Sequence, residues 1–579
     1  MAGVNRALRV ALAVPLGLVL AACSSDAPSL PQAGANVASA PAPSLVPSSA
    51  PASVPAVADP AVRARETVKT LSDVQLAGQV LMPYAYGDKA DRVDAAGAAG
   101  NQRLAGVDTP AEMVAKFHLG GLILVGFVPD DPTAATNPAT NVDSPQQVRA
   151  LTDGLQAAAR KLPGGVPLLI GTDQEFGVVT RIRTRATQLP SAMAFGAAGR
   201  PDLTEAAWRV GGTELAAMGV NLDFAPIADT LGPAGSSVIG SRSYGADPVA
   251  NAAQVGAAVR GMQGAGVSAT LKHFPGHGHT TGDSHDDLPI VRQSSAAWEK
   301  QDRPPFDAGI AAGAHVVMSG HLDVEGLDKG VAATFSRKIM TDVLRGRLGF
   351  TGVVITDAMN MAPALKWPPG KAAVLALNAG NDILLMPPDI AAARDGILAG
   401  LRDGSLKRQR LVEAVTRVLT LKFRSGPPQP ALSVLESPAH LEAVARASAA
   451  AVTVLKGRCS GPLVSGPVTV TTSGGREAAR IALVEALRQA GVPVQAAGGK
   501  VVHLVGYGDR TTDLAAGAAV TVVMDTPYLL AAARSPALVA TYSSGPASMT
   551  ALAAVIAGKA KAPGRSPVAV TGLPRSACP

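Results

Sequence analysis

Eight short apolar runs between residues 79 and 386 constrain the fold of this chain more than any other feature. The runs are largely hydrophobic on both faces and most contain β-branched residues, which is typical of strands buried in a parallel sheet. Segments with helical periodicity separate the runs and can serve as crossovers. Eight such units predict an α/β fold of the (β/α)8 TIM-like barrel type, with a doubly wound sheet as the alternative. The runs are Gln79–Pro83, Gly121–Val125, Leu168–Gly171, Asn221–Ala225, Val267–Lys272, Ala314–Met318, Gly352–Thr356 and Asp382–Met386.

A second, smaller α/β pattern follows the Pro-rich stretch Gly426–Pro430, which is typical of a linker. The pattern predicts a C-terminal α/β sandwich domain over residues 431–579 with helices at Arg476–Gln489 and Ala547–Ile556. Few charged residues follow its strands, so we expect the domain to be structural or to assist binding. The predicted strands are Val452–Leu455, Val468–Thr471, Val501–Val505, Val520–Met524 and Leu538–Tyr542.

The N-terminus has the features of an export signal. Arg6 and Arg9 precede an apolar run, Val10–Ala22, that is too short to span a bilayer as a mature helix. Small residues lead directly into Cys23, and this ending resembles a bacterial lipoprotein signal. The resemblance implies cleavage after residue 22, lipidation of Cys23, and a location outside the cytoplasm on the bacterial membrane. An ordinary secretory peptide with a chance cysteine is the alternative. Residues 23–62 are rich in Pro, Ala and Ser and predict an extended tether.

Composition excludes several classes of protein. The 579 residues are 47% hydrophobic and 16% charged with a formal net charge of +7, which argues against a mostly disordered chain. The positive charge is diffuse and no basic stripe is interleaved with aromatics, so we expect no nucleic-acid partner. Once the signal is removed, Cys459 and Cys578 are the only other cysteines. An even pair in an exported chain predicts one disulfide, with two unrelated buried thiols as the alternative.

Polar side chains follow several of the predicted strands. Asp173 follows the third run, Lys272 and His273 end the fifth, His321 and Asp323 follow the sixth, and Asp357 ends the seventh. In a barrel of this type the carboxyl ends of the strands carry the chemistry. Capping or turn residues would explain any one of these side chains, but they explain the whole set less well.

The Gly-rich loop from Lys272 to Asp287 contains four of the nine histidines in the chain. Asp283 stands two residues before His285 and can orient its imidazole, and a histidine held in this way can donate and retrieve a proton near neutral pH. A metal site built from His277, His279, Asp283 and His285 is the alternative, although no zinc spacing with an established mechanism occurs. We therefore expect neither a metal nor another cofactor.

Asp357 stands directly after a buried run, so its carboxylate is fixed and faces the barrel mouth. This position suits a nucleophile that attacks a carbon developing cationic character. A helix N-cap is the alternative role for an aspartate at this place.

Taken together, these residues resemble the family 3 glycoside hydrolases, and within them the bacterial β-N-acetylglucosaminidases. The resemblance spans roughly residues 68–425, and it implies a catalytic domain over residues 63–425. The matching strings are Gly171–Glu175, Asn221–Pro226, Ile239–Tyr244, the loop from Lys272 to His285, and Ile355–Asp357.

The resemblance also implies a role for each site residue. Asp357 is expected to be the nucleophile and His285 the acid/base, assisted by Asp283. In many relatives the C-terminal domain supplies a carboxylic acid, which His285 would make unnecessary here. One position departs from the family pattern, because Phe176 stands where glycine is usual and could narrow or cover the sugar pocket. The implied substrate-binding set is Asp173, Arg181, Arg242, Lys272 and His273.

The expected function is a retaining exo-β-N-acetylglucosaminidase that acts as a monomer on oligosaccharides derived from peptidoglycan or chitin. Three alternatives stay open: a β-glucosidase or β-xylosidase on the same fold, a phosphorylase that uses phosphate in place of water, and a wall-binding lipoprotein without activity. The last is disfavoured because Asp357 and His285 are both present.

Overall fold

Eight parallel strands form the larger domain, and each coincides with one of the eight apolar runs. The computed structural model describes residues 59–126, 133, 141–233, 235–424 and 426–578, so the predicted signal, Cys23 and the tether up to residue 58 lie outside the described residues. The strands are β1 (Leu81–Met82), β2 (Gly121–Leu124), β3 (Leu169–Thr172), β4 (Leu222–Asp223), β5 (Ser268–Phe274), β6 (Val316–Ser319), β7 (Val353–Thr356) and β8 (Leu384–Leu385).

The strands close into a barrel. Strands β2 to β7 pair in chain order within one parallel sheet, and β8 pairs in parallel with β1. A parallel bridge between Ile355 and Ile383 joins β7 to the start of β8. A backbone hydrogen bond of 3.0 Å from Ile123 N to Pro83 O joins β2 to the end of β1. The fold is therefore the predicted TIM-like barrel, and the doubly wound alternative is wrong.

Alternation along each strand explains why the runs are apolar on both faces. In β2, Leu122 and Leu124 pack outward against the helical layer, whereas Ile123 packs inward. Inside the barrel Ile123 meets Leu169 and Met318 from other strands. Both faces of each strand are thus withdrawn from water, as expected for a parallel sheet wrapped in helices.

Helices and short strands connect the barrel strands. Additional two-stranded pairings follow the barrel strands at Gln174–Phe176 with Val179–Thr180 and at Ile290–Val291 with Asp323–Val324. The helices of this domain are Pro60–Thr70, Asp73–Gln79, Ala95–Ala105, Pro110–Phe117, Pro145–Arg160, Ala192–Ala198, Pro201–Ala217, Gly240–Arg242 (3₁₀), Pro248–Gly264, Ser295–Gln301, Arg303–Ala311, Glu325–Asp328, Ala333–Phe335 (3₁₀), Lys338–Arg347 (π), Ala362–Leu365, Pro369–Ala379, Ile390–Asp403 and Arg408–Lys422.

The first helix begins inside the predicted tether. Pro60 is its first residue, and the Asp59 carboxylate accepts a hydrogen bond from Ala61 N at 2.7 Å. Proline at the first position of a helix is favourable because its missing N–H would have no partner there. The prediction that residues 60–62 are extended is therefore wrong.

The C-terminal domain contains the predicted five-stranded sheet. Its strands are β9 (Thr453–Lys456), β10 (Val468–Thr472), β11 (Lys500–Val505), β12 (Val520–Val523) and β13 (Ala537–Ala540), in the spatial order β9-β13-β12-β11-β10 with only β9 antiparallel. The regular helices of this domain are Leu432–Val434 (3₁₀), Pro438–Ala451, Glu477–Gln489, Thr511–Asp513 (3₁₀), Pro527–Ala531 (3₁₀) and Pro546–Ile556.

The two faces of this sheet pack against different partners. One face packs against the helices Glu477–Gln489 and Pro546–Ile556. On the other face, side chains such as Val505 and Leu538 share an apolar layer with Leu231 and Ile239, which belong to loops at the barrel mouth. The Ser191 hydroxyl also donates a hydrogen bond of 2.6 Å to Tyr542 O across the same boundary. The sheet therefore lies on the end of the barrel where the predicted site is located.

A disulfide joins the beginning of the C-terminal domain to its end. The Sγ atoms of Cys459 and Cys578 are bonded, and the two residues are 119 positions apart in the chain. Among the described residues, no helix is both long enough and apolar enough to cross a bilayer.

Candidate active site

A cleft at the carboxyl ends of the barrel strands brings the sequence-predicted site residues together. Its volume is about 40 Å³, and seven of the eight predicted catalytic and substrate-binding side chains line it. Asp283 is the eighth, and it contacts the lining residue His285. Apolar side chains such as Met318 and Leu385 complete the wall. The seven lining residues are Asp173, Arg181, Arg242, Lys272, His273, His285 and Asp357.

Asp357 is held at the end of β7 by its own backbone. Its N–H donates to Ser319 O at 2.9 Å, and its Oδ1 accepts from Ala358 N at 2.8 Å. Burial acts to raise the pKa of this carboxyl, but the neighbouring His273 and His321 outweigh it, so the pKa lies below its ordinary value. The carboxylate is therefore ionised at neutral pH, as a nucleophile must be.

His321 supports the segment that carries Asp357. Its Nε2 donates to the carbonyl of Ala358 at 3.0 Å, its Nδ1 lies 2.9 Å from Thr334 Oγ1, and its ring stacks on Phe335. Burial lowers the pKa of this imidazole, although the neighbouring Asp357 acts to raise it. These contacts hold His321 in place, and through Ala358 it fixes the segment that carries Asp357.

His285 and Asp283 form a pair on the loop after β5. His285 Nδ1 lies 2.7 Å from Asp283 Oδ1, and the same oxygen accepts the backbone N–H of His285 at 2.9 Å. Burial acts to raise the pKa of Asp283, but its hydrogen bonds with His285 outweigh this effect and lower the pKa. An ionised Asp283 holds the proton on Nδ1, and Nε2 on the far side of the ring is then the atom that can exchange a proton with substrate.

A buried ion-pair network forms the floor of the cleft. Lys272 Nζ lies 2.8 Å from Asp173 Oδ1 and 2.6 Å from Glu175 Oε1. Arg242 binds Glu175 with two hydrogen bonds, Nε to Oε2 at 2.7 Å and Nη2 to Oε1 at 2.9 Å. Arg181 Nη2 approaches Asp173 Oδ2 at 3.5 Å. We call this set of five residues the floor network.

Glu175 is the member of the floor network that sequence reasoning did not assign. Burial acts to raise its pKa, but Arg242 and Lys272 outweigh this effect and lower the pKa to about 2. Lys272 and Arg242 are predicted to bind substrate, whereas much of their hydrogen bonding goes to Glu175. The only sign in the sequence was the acidic residue two positions after Asp173 in the string that carries the resemblance.

Asp229 was also missed, and it holds the start of the Gly-rich loop. Its Oδ2 lies 2.8 Å from His273 Nδ1, and its Oδ1 accepts the backbone N–H groups of His273 at 3.0 Å and His277 at 2.7 Å. Burial acts to raise the pKa of Asp229, but His273 lowers it overall. This carboxylate therefore orients the ring of His273 in the cleft.

The four side chains of the alternative metal site do not converge. His277 Nε2 lies 3.1 Å from Ser284 Oγ, and His279 Nδ1 lies 2.8 Å from Asp302 Oδ1, while His285 is paired with Asp283. Within the ranges described, no three His, Cys, Asp or Glu side chains come close enough together to hold a metal ion.

Phe176 neither narrows nor covers the pocket. Its ring packs edge to face on Trp208, with 5.7 Å between centroids, and its side chain is buried in the apolar layer outside the barrel. The backbone has φ = 64°, a conformation that favours glycine. The expected steric effect on the sugar site is therefore wrong, because the side chain points away from the cleft.

Comparison with known families gives one extensive match. Residues 78–421 match the family described as the glycosyl hydrolase family 3 N terminal domain. This segment includes every predicted catalytic and substrate-binding residue.

Individual relatives and solved structures agree with this match. The chain is 32% identical over 377 residues to beta-hexosaminidase A of Pseudoalteromonas piscicida, covering 60% of this chain and 61% of the relative. It is 33% identical over 309 residues to a beta-N-acetylglucosaminidase/beta-glucosidase of Cellulomonas fimi, covering 50% and 55%. A family 3 beta-N-acetylglucosaminidase structure from Paenibacillus sp. str. FPU-7 aligns with a TM-score of 0.74 and 29% identity, over 87% of this chain and 99% of that one. The alignments thus span less than two thirds of either curated relative.

Proposed function

The chain belongs to glycosyl hydrolase family 3, and from this premise we propose that it is a retaining exo-β-N-acetylglucosaminidase. Its substrates are oligosaccharides with a terminal β-linked N-acetylglucosamine, of the kind released from peptidoglycan or chitin. The observation that carries the proposal is that an ionised Asp357 and a carboxylate-oriented His285 line the same cleft. The names of the Pseudoalteromonas and Paenibacillus proteins support the choice of sugar.

The first half of the reaction forms a covalent intermediate. A carboxylate oxygen of Asp357 attacks the anomeric carbon while the bond from that carbon to the leaving oxygen breaks. His285 Nε2, protonated at this stage, gives its proton to the leaving oxygen, so that the aglycone departs as an alcohol. The ion pair with Asp283 stabilises the protonated imidazole before transfer and keeps its ring aimed at the cleft.

The second half releases the sugar. The imidazole, now neutral, accepts a proton from water while the water oxygen attacks the anomeric carbon. The bond to Asp357 breaks, the carboxylate is restored, and the product keeps the β configuration because two inversions have occurred. The pair of His285 and Asp283 is then ready for another cycle.

The floor network fits the task of gripping sugar hydroxyls. The Asp173 side chain is 17% exposed, whereas those of Lys272 and Arg181 are almost fully buried. Asp173 is thus a carboxylate fixed by two cations with part of its surface open to the cleft, and it accepts hydrogen bonds from the sugar. The imidazole of His273 is oriented by Asp229 and is a further polar group that lines the cleft.

The proposed location is the outer side of the bacterial membrane, with the chain anchored as a monomer through a lipid on Cys23. The features that support this proposal are the arginines, the apolar run and the small residues before Cys23. The Cys459–Cys578 disulfide also favours an oxidising compartment. Replacing Cys23 with alanine is expected to move the chain from the membrane fraction to the soluble fraction and to abolish labelling by a fatty-acid analogue. Unchanged membrane retention would contradict this assignment.

The activity is tested with the p-nitrophenyl β-glycoside of N-acetylglucosamine. We expect Asp357→Ala and His285→Ala to lose about 10²-fold to 10⁴-fold or more of kcat/KM, whereas Asp286→Ala in the same loop stays within about twofold of the parent, as is usual for an exposed residue away from the chemistry. Proton NMR of the freshly released sugar reports whether the β configuration is retained. Full activity in either catalytic variant would reject the assigned roles.

A broader sugar specificity is the second candidate function. The Cellulomonas relative is named for both N-acetylglucosaminidase and glucosidase activity. Comparing kcat/KM on the glucoside and the N-acetylglucosaminide separates the two. Product analysis by mass spectrometry with and without phosphate distinguishes hydrolysis from phosphorolysis, because only phosphorolysis yields a sugar phosphate.

A further inference from the structure

The C-terminal domain contains a cavity that the proposed reaction does not use. It has a volume of about 920 Å³ and is lined at the amino ends of three neighbouring parallel strands by residues such as Lys500 of β11, Ala519 before β12 and Pro536 before β13. The carboxyl ends of these strands lie on the barrel side, where Tyr542 O, just after β13, accepts the hydrogen bond from Ser191. The cavity and the active-site cleft therefore lie at opposite ends of the C-terminal sheet and share no lining residue.

Positive charge surrounds this cavity. Arg458, Lys500 and Arg534 line it and are exposed to solvent. None of the three side chains has an ion pair or hydrogen bond with any other described residue. No aspartate or glutamate is among the lining residues. Cations are usually interspersed with acidic side chains on a protein surface, so three unpaired cations around one cavity favour an anionic ligand.

The inner surface combines hydroxyl groups with apolar residues, many of them small. The hydroxyls of Thr521 and Ser535 are 2.7 Å apart and buried in the wall. A bond between two hydroxyls uses one of their hydrogens, and the other hydrogen can be donated to a ligand. The small side chains leave the cavity wide and provide apolar contacts. They include Ala515, Ala518 and Ala533.

The segment that carries Arg458 is held on both sides. β9 ends at Lys456, two residues before Arg458. On the other side Cys459 is bonded to Cys578, and Leu463 N donates a hydrogen bond of 3.0 Å to Ile556 O at the end of a helix. A wall that is already ordered loses little conformational entropy when a ligand binds. The cavity is thus preformed as well as charged.

We propose that this cavity is a second binding site, which takes a small ligand with more than one carboxylate or phosphate group on a partly apolar frame. The cations bind the negative groups, and the alanine-rich wall contacts the frame. Because the site is remote from Asp357 and His285, its ligand does not compete with the glycoside. The inference goes beyond the proposed glycosidase activity and holds whichever sugar the barrel accepts.

Isothermal titration of the full chain tests the proposal at low ionic strength. Two probes distinguish the sources of the anion: an acetylated peptide of three glutamates for carboxylates, and inorganic tripolyphosphate for phosphates. We expect one of them to bind with one site per chain. The probe that binds more tightly identifies which anion the site prefers, and either result supports the proposal.

Three variants determine whether binding occurs in the cavity. The triple variant Arg458→Ala, Lys500→Ala, Arg534→Ala is expected to bind at least about tenfold more weakly. The matched control Lys161→Ala, Arg402→Ala, Lys407→Ala removes the same charge from exposed positions on the barrel and should stay within about twofold. Ala533→Trp keeps every charge but adds a large ring to the wall beside Arg534 and Ser535, and it should also weaken binding by about tenfold or more.

Several results would overturn the proposal. They are binding of neither probe, an equal loss in the control triple variant, and full binding in Ala533→Trp. Glycosidase activity in all three variants reports that the chain has folded, since none of these residues belongs to the barrel cleft.

Discussion

The floor network and the pair of His285 and Asp283 both hold an ionised carboxylate beside a basic side chain, but they differ in how deeply these groups are buried. Both place a carboxylate against a nitrogen base, and both lower the pKa of the acid. The floor is mostly buried, with 2% of the Glu175 side chain, 3% of the Lys272 side chain and 17% of the Asp173 side chain exposed. The loop pair is less buried, with 11% of the His285 side chain and 33% of the Asp283 side chain exposed.

Because the two sets of residues differ in burial, the floor network is suited to holding substrate rigidly and the loop pair is suited to exchanging protons. A buried ion pair is costly to break, because removing one partner leaves an uncompensated charge in a medium of low polarity. Such a network suits the surface that must hold a sugar ring in one position. The loop pair lies closer to solvent, so water can reach it more easily, which suits an acid that must also act as a base.

The largest expected effect is a loss of stability when the floor network is broken. Glu175→Gln removes the carboxylate charge that binds both Arg242 and Lys272. We expect the free energy of unfolding to fall by about 3–5 kcal/mol, measured by urea denaturation. Glu66→Gln is the matched control, since its pair with Lys69 has 66% of each side chain exposed, and it should change stability by less than about 1 kcal/mol. Similar losses in both variants would contradict the contrast between buried and exposed pairs.

The pH dependence of stability sharpens the same contrast. The pKa of Glu175 falls from 4.5 to about 2 on folding, so its carboxylate stabilises the fold above pH 4.5, and this contribution is lost as the pH falls toward 2. A shift of this size corresponds to about 3 kcal/mol. Urea midpoints measured from neutral pH downward should decline over this window in the parent chain and decline less in Glu175→Gln. Parallel curves for the two proteins would argue against the assignment.

A smaller effect is expected from the loop pair, and it concerns catalysis and not stability. Asp283→Asn removes the charge that orients His285, and we expect kcat/KM to fall by about 10²-fold with an unchanged urea midpoint. Asp286→Asn is the control, because Asp286 is exposed in the same loop. A large loss of stability in Asp283→Asn would show that the loop pair acts like the floor.

The smallest effect concerns a surface ion pair beside this loop. Lys366 Nζ lies 3.3 Å from Asp287 Oδ1, with 56% and 82% of the two side chains exposed. Exposed pairs of this kind contribute little and are screened by salt. Lys366→Ala should therefore change kcat/KM by less than about twofold, and less still at high salt. A tenfold loss would mean that the pair holds the His285 loop in place.

The sequence predicted the barrel because its signal is local. Each strand is buried on both faces and must be apolar throughout, so a run such as Gly121–Val125 can be recognised from its own residues, without knowing which strands lie beside it. Asp357 and the Lys272–His273 pair were identifiable for a related reason, since a polar residue at the end of an apolar run lies at the carboxyl edge of the sheet.

The misses concern contacts between residues distant in the chain. Glu175 meets Arg242 across 67 positions, and Asp229 meets His273 across 44, so nothing local marks them as partners. Phe176 was misjudged because the direction of a side chain depends on its backbone, here at φ = 64°. The helix start at Pro60 was not predictable from composition, because proline is common in extended tethers and is also favourable at the first position of a helix.

The apolar layer shared by the C-terminal sheet and the barrel loops limits how far this protein can be shortened. If the chain ended after the barrel, Leu231 and Ile239 would face water instead of packing against Val505 and Leu538. An exposed hydrophobic patch of this kind promotes aggregation. A miniaturised catalyst built from the barrel would therefore need polar replacements on those loops before it could remain dispersed in solution.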